Sequence, residues 1–175
     1  NSFAILAPNK KFKGRTIYVN PNETTYLAKS NGISSAIISN LSAYQPRSIY
    51  VDVPDLPIGY DIGHTSFTLM PTNKSGSLVT VGTDSTVFLS CILINDKGIG
   101  ISMQAGQLIP LDKPTQKPII FFTNKTGKFR TLGISSGKYR LQFFSSKFET
   151  FHFEIPENCS GLYNLGENII KTKEY

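Results

Sequence analysis

The chain has 175 residues and a formal net charge of +6, which allows one medium domain or two small ones. Its 39% hydrophobic and 17% charged residues exclude a disordered chain, and no apolar run reaches the roughly 20 residues of a spanning helix. Isoleucine and threonine are abundant while alanine and glutamate are scarce, which favours strands. The chain begins at Asn1 without a signal-peptide pattern, so we expect a piece of a longer protein.

Short strands separated by turns are predicted along the first half of the chain. They fall near residues 15–19, 24–28, 36–38, 47–53 and 66–70. Asn31 and Gly32 form a hairpin signal after the second of them. The polar stretch 72–77 is the best candidate for a linker, so domains are predicted at 1–72 and 73–175.

The second half has a more regular strand pattern. Residues 87–94 are apolar on both faces, and strands at 119–122 and 128–132 flank a loop with glycine near its end. Residues 138–144 and 150–155 alternate as a hairpin whose register sets Tyr139 opposite Phe153, Leu141 opposite Phe151, and Lys138 opposite Glu154. The chain is therefore predicted to be all-β, with two small immunoglobulin-like or transthyretin-like β-sandwiches in tandem.

One serine motif raises a catalytic hypothesis. Residues 133–137 match the G-x-S-x-G pattern of a nucleophile elbow with Ser135 at its centre. An elbow requires a helix after the serine, whereas a strand is predicted there. No aspartate follows Ser135 in the chain, and His64 and His152 are the only histidines. We interpret the motif as a Gly-Ser turn and expect a protein that is not an enzyme and uses no cofactor.

The cysteines and acidic residues do not follow a metal-binding pattern. Cys91 and Cys159 lie far apart in the chain and outside any C-x-x-C pair, so zinc is not expected. A disulfide between them and two separate thiols both remain open, because a thiol in the apolar run around Cys91 packs like a small hydrophobic group. Asp52, Asp55 and Asp61 have a spacing that fits no calcium loop.

The basic residues outnumber the acidic ones by 18 to 12. They are scattered along the chain, with one local cluster at residues 10–15 that is too short to line a nucleic-acid groove. We therefore expect a basic surface that faces solvent and no nucleic-acid partner.

Two blocks of residues carry a resemblance to a known family. In the first block, a strand is followed by a leucine, a tyrosine, a strand with an aspartate and Leu-Pro: Ala36-Ile37-Ile38, Leu41, Tyr44, Ile49, Val51, Asp52 and Leu56-Pro57. The second block consists of Phe122-Thr123-Asn124, Gly127-Lys128-Phe129, Gly133, Gly137-Lys138-Tyr139, Ile155-Pro156-Glu157, Gly161 and Leu165-Gly166. The first block resembles outer-membrane fimbrial ushers of the chaperone–usher secretion family, and the second resembles the terminal domain of a divergent branch of that family. The resemblance extends from about Phe3 to Gly166.

The resemblance implies the two C-terminal β-sandwich domains of an usher, on the periplasmic face of the bacterial outer membrane. Such domains bind complexes of a periplasmic chaperone and a pilus subunit and hold them during fimbrial assembly and secretion. The implied partners are that complex and the rest of the usher barrel, while the segment itself does not span the membrane. The resemblance assigns no contact residues, because these surfaces do not match position by position.

A second resemblance suggests an alternative function. Residues 129–143 also resemble the small transthyretin-like sandwiches that serve as regulatory modules of carboxypeptidases and occur in many surface proteins. This resemblance implies a structural or adhesive module of a bacterial surface protein. Those modules lack the block at residues 44–57, so the usher hypothesis ranks first.

Overall fold

The computed structural model describes residues 1–173 and consists of fourteen strands joined by loops and one short 3-10 helix, η1 (Lys10–Phe12). The strands of the first half are β1 (Ser2–Pro8), β2 (Tyr18–Val19), β3 (Ala28–Lys29), β4 (Ala36–Leu41), β5 (Arg47–Asp52), β6 (Ser66–Leu69) and β7 (Gly76–Val81). Those of the second half are β8 (Val87–Ile94), β9 (Ala105–Pro110), β10 (Ile119–Phe122), β11 (Lys128–Ile134), β12 (Gly137–Phe143), β13 (Phe151–Ile155) and β14 (Gly161–Ile169). Within residues 1–173, no helix is long and apolar enough to cross a membrane.

The chain forms two compact units. The first unit comprises Asn1–Pro57 and Asp61–Asp84, and the second comprises Ile58–Tyr60 and the chain from Ser85 onward. The predicted boundary between residues 72 and 73 differs from this division. The predicted linker is instead the turn that leads into β7, and β7 pairs in parallel with β1 from Phe3 to Pro8 to complete a sheet of the first unit.

Both units have the same strand topology. The first contains the sheets β4-β1-β7 and β3-β2-β5-β6, and the second contains β11-β8-β14 and β10-β9-β12-β13. Strands β8 to β14 of the second unit thus occupy the same positions in their sheets as β1 to β7 do in the first unit. In both units the opening strand is central, antiparallel to one neighbour and parallel to the last strand. The prediction of two small β-sandwich domains in tandem is confirmed.

Each unit has its own hydrophobic core between its two sheets. The first core is mostly aliphatic and includes Leu6, Ile17 and Ile49. The second core is rich in aromatic rings: Phe121 packs against Phe129 with ring centroids 4.6 Å apart. Inward and outward residues alternate along the strands, which leaves every second side chain on the solvent face of its sheet.

The predicted hairpin of β12 and β13 is present with the predicted register. Tyr139 faces Phe153, Leu141 faces Phe151 and Lys138 faces Glu154. The rings of Tyr139 and Phe153 stack with centroids 5.6 Å apart on the core side. Because a shift of one residue would turn both aromatic rows toward solvent, burial of these rings fixes the register.

Candidate interaction surfaces

Ser135 is a buried structural residue in the connection between β11 and β12. Its Oγ accepts a hydrogen bond from Lys113 Nζ at 3.1 Å and donates one to Gln116 Oε1 at 3.2 Å. The Tyr139 hydroxyl donates to the Ser135 carbonyl at 2.9 Å, and burial raises the pKa of this tyrosine. Strand β12 begins at Gly137, where an elbow would need a helix. The serine oxygen is therefore shielded from solvent and held by its neighbours.

Cys91 and Cys159 are not joined by a disulfide in the structure, and a disulfide between them stays an open alternative. Cys91 lies on β8 in the second core, and Asn168 Nδ2 donates a hydrogen bond to its Sγ at 3.4 Å. Burial raises the pKa of the Cys91 thiol to about 11. Cys159 follows β13 and packs half-buried against the edge of the same core. The Cys91 thiol packs in the core as a small hydrophobic group.

Neither the histidines nor Asp52, Asp55 and Asp61 belong to a group of metal ligands within residues 1–173. His64 and His152 are both exposed, and His152 faces Arg140 across the β12–β13 pair. Asp61 Oδ1 accepts a hydrogen bond from the Gly63 amide at 2.9 Å and so stabilises a turn. Among residues 1–173, no group of three or more histidine, cysteine, aspartate or glutamate side chains could hold a metal ion.

The outer face of the three-stranded sheet in the first unit carries an exposed apolar row. Ile5 of β1 lies between Ile37 of β4 and Leu78 of β7, which are 61% and 71% exposed. Phe3 lies over Gly76 of β7, where an added Cβ would come within 2.6 Å of the phenyl ring. We call Ile37, Ile5, Leu78 and Phe3 the apolar row. Contiguous exposed apolar side chains of this kind mark surfaces that bind other proteins.

The outer face of the four-stranded sheet in the second unit carries exposed aromatic side chains. Phe122 of β10 faces Ala105 of β9, and the Phe144 amide donates a hydrogen bond to the Ala105 carbonyl at 3.0 Å. Phe122 and Phe144 are 70% and 59% exposed, and they flank this alanine in one row across the sheet. We call Phe122, Ala105 and Phe144 the aromatic row. Phe121, the residue before Phe122, points the other way into the core.

The segment of sequence that contains Phe122 and Phe144 is basic. Between Asp112 and Glu149 the sequence contains no acidic residue and eight basic ones: Lys113, Lys117, Lys125, Lys128, Arg130, Lys138, Arg140 and Lys147. Lys128 and Arg130 of β11 line a surface groove together with Phe122 and Phe129. The expectation of scattered basic residues with one cluster at residues 10–15 missed this segment, although a local charge count along the sequence would have found it.

Comparisons with solved structures find proteins that share the fold of this chain. No protein-family model and no curated protein matches the chain. A chain of the E. coli P pilus tip assembly intermediate PapC-PapD-PapK-PapG in its second conformation matches 99% of this chain with a TM-score of 0.60 and 11% identity. The match covers 20% of that chain. At this identity it shows a shared fold.

Two further structural neighbours have lower scores. GBS52, the minor pilin of Streptococcus agalactiae, matches 100% of this chain and 98% of its own with a TM-score of 0.39 and 10% identity. The Bacillus anthracis TIE protein matches 98% of this chain and 33% of its own with a TM-score of 0.37 and 17% identity. The chain thus spans a third of the TIE protein and a fifth of the P pilus chain.

Proposed function

We propose that this chain is a pair of periplasmic domains of an outer-membrane usher that receives and holds complexes of a chaperone and a pilus subunit. The observation that carries the proposal is the fold shared, over 99% of the chain, with a component of a P pilus assembly intermediate. The usher-like residues add support because they occupy ordered positions: Ile38 is buried on β4, and Ile49 and Val51 are buried on β5.

Binding rather than catalysis is the chemistry that we propose for this pair of domains. The one serine motif is buried and engaged in hydrogen bonds, whereas the apolar row and the aromatic row are exposed. Exposed apolar centres with polar surroundings are typical of protein–protein contacts. On this proposal the domains act without a cofactor.

The position of the two domains within the usher explains how their binding of the complex would help assembly. Domains tethered to the rest of the usher barrel keep a bound complex near the pore at a high effective concentration, even when the contact itself is weak. We propose that the pair lies on the periplasmic face of the outer membrane, where chaperone–subunit complexes arrive. The rest of the barrel is then its covalent partner.

A co-purification experiment tests the proposal. The immobilised chain is exposed to a purified chaperone–subunit complex and, separately, to the chaperone alone. We expect retention of the complex and little retention of the free chaperone. A variant with Ile37→Lys and Leu78→Lys, both on exposed positions, keeps the fold and tests whether the apolar row contributes. Equal retention of complex and chaperone, or retention of neither, contradicts the proposal.

A further inference from the structure

Strand β10 is an open edge strand of the second unit. It pairs with β9 on one side and ends the sheet β10-β9-β12-β13 on the other. Its four residues, from Ile119 to Phe122, are all large and apolar, and none of them is charged. Proteins usually protect such edges with charge, proline, a bulge or extreme shortness, because an open edge templates the addition of another strand.

The backbone pattern shows which groups of β10 face the open edge. The Thr123 amide donates to the Gln104 carbonyl at 2.8 Å, so these two residues form a hydrogen-bonded pair. Bonded and non-bonded pairs alternate in an antiparallel ladder. In the register of Phe121 opposite Gly106, the next bonded pair toward the start of β10 is therefore Phe121 with Gly106. The amides and carbonyls of Ile120 and Phe122 consequently point away from β9.

The first unit provides an internal comparison. Strand β3 occupies the same place in its sheet as β10 does in the second unit. It has only two residues, and one of them is Lys29, whose ammonium lies 5.0 Å from the ring of Tyr18. The edge is thus short and charged in the first unit but longer and uncharged in the second. Because the first unit has the same topology with a short, charged edge, the longer and uncharged edge of β10 is not a requirement of the fold.

The charges around β10 indicate the chemistry of the strand that it would accept. Lys117 precedes the strand, Lys125 follows it, and Lys128 and Arg130 line the groove beside Phe122. The nearest acidic residues in the sequence are Asp112 and Glu149. An added strand with aspartate or glutamate at its ends would meet complementary charge at both ends of β10. Apolar side chains at alternate positions would lie against the exposed Ile120 and Phe122.

We infer that β10 binds an extended, acidic segment of the partner protein as a fifth strand of the β10-β9-β12-β13 sheet. The inference rests on the proposed function for the identity of the partner, a chaperone–subunit complex, and it adds the surface and the chemistry of the contact. Main-chain hydrogen bonds to Ile120 and Phe122 supply the binding, and the lysines and Arg130 select an acidic strand.

The test uses the full chain and a labelled synthetic peptide of alternating valine and threonine that ends in aspartates. A matched peptide ends in lysines instead. Fluorescence anisotropy measures both affinities. The variant Ile120→Pro removes one outward amide and spares the bonded pairs with β9, because proline is tolerated on an edge. We expect the Ile120→Pro variant to bind the aspartate peptide about tenfold more weakly, because one main-chain hydrogen bond between β10 and the peptide is lost.

Two further variants distinguish a loss of binding at β10 from a loss of folding. Phe122→Lys places a charge on the edge, as Lys29 does on β3, and we expect about tenfold weaker binding of the peptide. Leu162→Lys changes a similarly exposed residue on β14 and is expected to bind like the parent chain. Thermal unfolding verifies that all three variants are folded. Equal binding by the Ile120→Pro and Phe122→Lys variants and the parent, or equal affinity for the two peptides, overturns the inference.

The outcomes separate this inference from the proposed function. If the chain retains the chaperone–subunit complex but Ile120→Pro and Phe122→Lys retain it equally well, the inference is wrong and the proposed function stands. If the aspartate peptide binds at β10 but no chaperone–subunit complex is retained, the edge site stands and the proposed function is wrong. A single-stranded oligonucleotide that binds more tightly than the peptide and displaces it would also overturn the inference.

Discussion

At the residue scale, buried polar side chains in the second unit hold loops in place. Ser135, Lys113, Gln116 and Tyr139 form one hydrogen-bonded cluster that joins the segment before β10 to the turn between β11 and β12. Two members of the cluster, Ser135 and Tyr139, are almost fully buried. Loss of one partner in such a place leaves a buried polar group unsatisfied, which is costly.

Replacement of Ser135 by alanine tests this structural role. We expect Ser135→Ala to lower the free energy of unfolding by about 1–3 kcal/mol, because Lys113 and Gln116 each lose a buried partner. Urea unfolding measures the change. In the control Ser136→Ala, the carbonyl that accepts from Lys113 at 2.9 Å is retained, and a smaller loss is expected. A loss of ester hydrolysis in Ser135→Ala, with unchanged stability, would contradict the structural role.

The Cys91 thiol makes stability depend on pH in the alkaline range. Its pKa rises from an ordinary 9.0 to about 11 because of burial, so the unfolded chain releases this proton before the folded chain does. The protonated Cys91 thiol therefore contributes its full share to the free energy of unfolding below pH 9. This contribution falls by about 1–3 kcal/mol in total as the pH rises toward 11. Urea unfolding at pH 8 and pH 10.5 measures it. Cys91→Ala should reduce this dependence, to which the raised pKa of Tyr139 also contributes, whereas Cys159→Ala should preserve it; an equal slope in both variants would contradict the assignment.

At the element scale, β10 divides its two phenylalanines between opposite faces. Phe121 is buried, with its ring 4.6 Å from that of Phe129 and 5.6 Å from that of Phe143. Phe122, the next residue, is exposed on the aromatic row. We expect Phe121→Ala to cost about 3–5 kcal/mol of stability and Phe122→Ala to cost much less. Thermal and urea unfolding of the two variants decide this, and comparable losses would mean that the faces are assigned wrongly.

The strands that the sequence predicted differ physically from those that it did not. The hairpin of β12 and β13 was predicted with its register because strict alternation of aromatic and polar residues identifies one buried face. Strands β1, β7, β9 and β14 were not predicted. Of these, β7 and β14 pair in parallel with a central strand, and β14 contains an irregularity between Asn164 and Gly166 that breaks its alternation. Their positions depend on tertiary pairing with β1 and β8.

At the scale of the whole molecule, the chain is one seven-strand topology used twice. The sequence predicted two sandwiches but neither this repetition nor the boundary, because the two units share strand order without a visible repeat of residues. The predicted division ignored that β1 needs β7 as its parallel partner. The aromatic row and the apolar row could not be predicted from the sequence. Alternation of residues along a strand identifies the two faces of a sheet but does not tell which face is exposed to solvent.

Two fragments test whether the first unit ends at Asp84. A fragment of residues 1–84 contains all strands of the first unit, whereas a fragment of residues 1–72 lacks β7 and exposes one side of β1. We expect the longer fragment to show a cooperative urea transition and dispersed amide resonances, and the shorter one to be largely unfolded. Equal stability of the two fragments would restore the boundary at residues 72 and 73.

The proposed function requires that the chain bind the complex of chaperone and pilus subunit. A titration of the fluorescently labelled full chain with the purified complex and, in parallel, with the chaperone alone measures this binding. We expect saturable binding of the complex that is at least about tenfold tighter than binding of the free chaperone. Identical curves for the two titrants, or no saturable binding of the complex, would show that the proposed function is wrong.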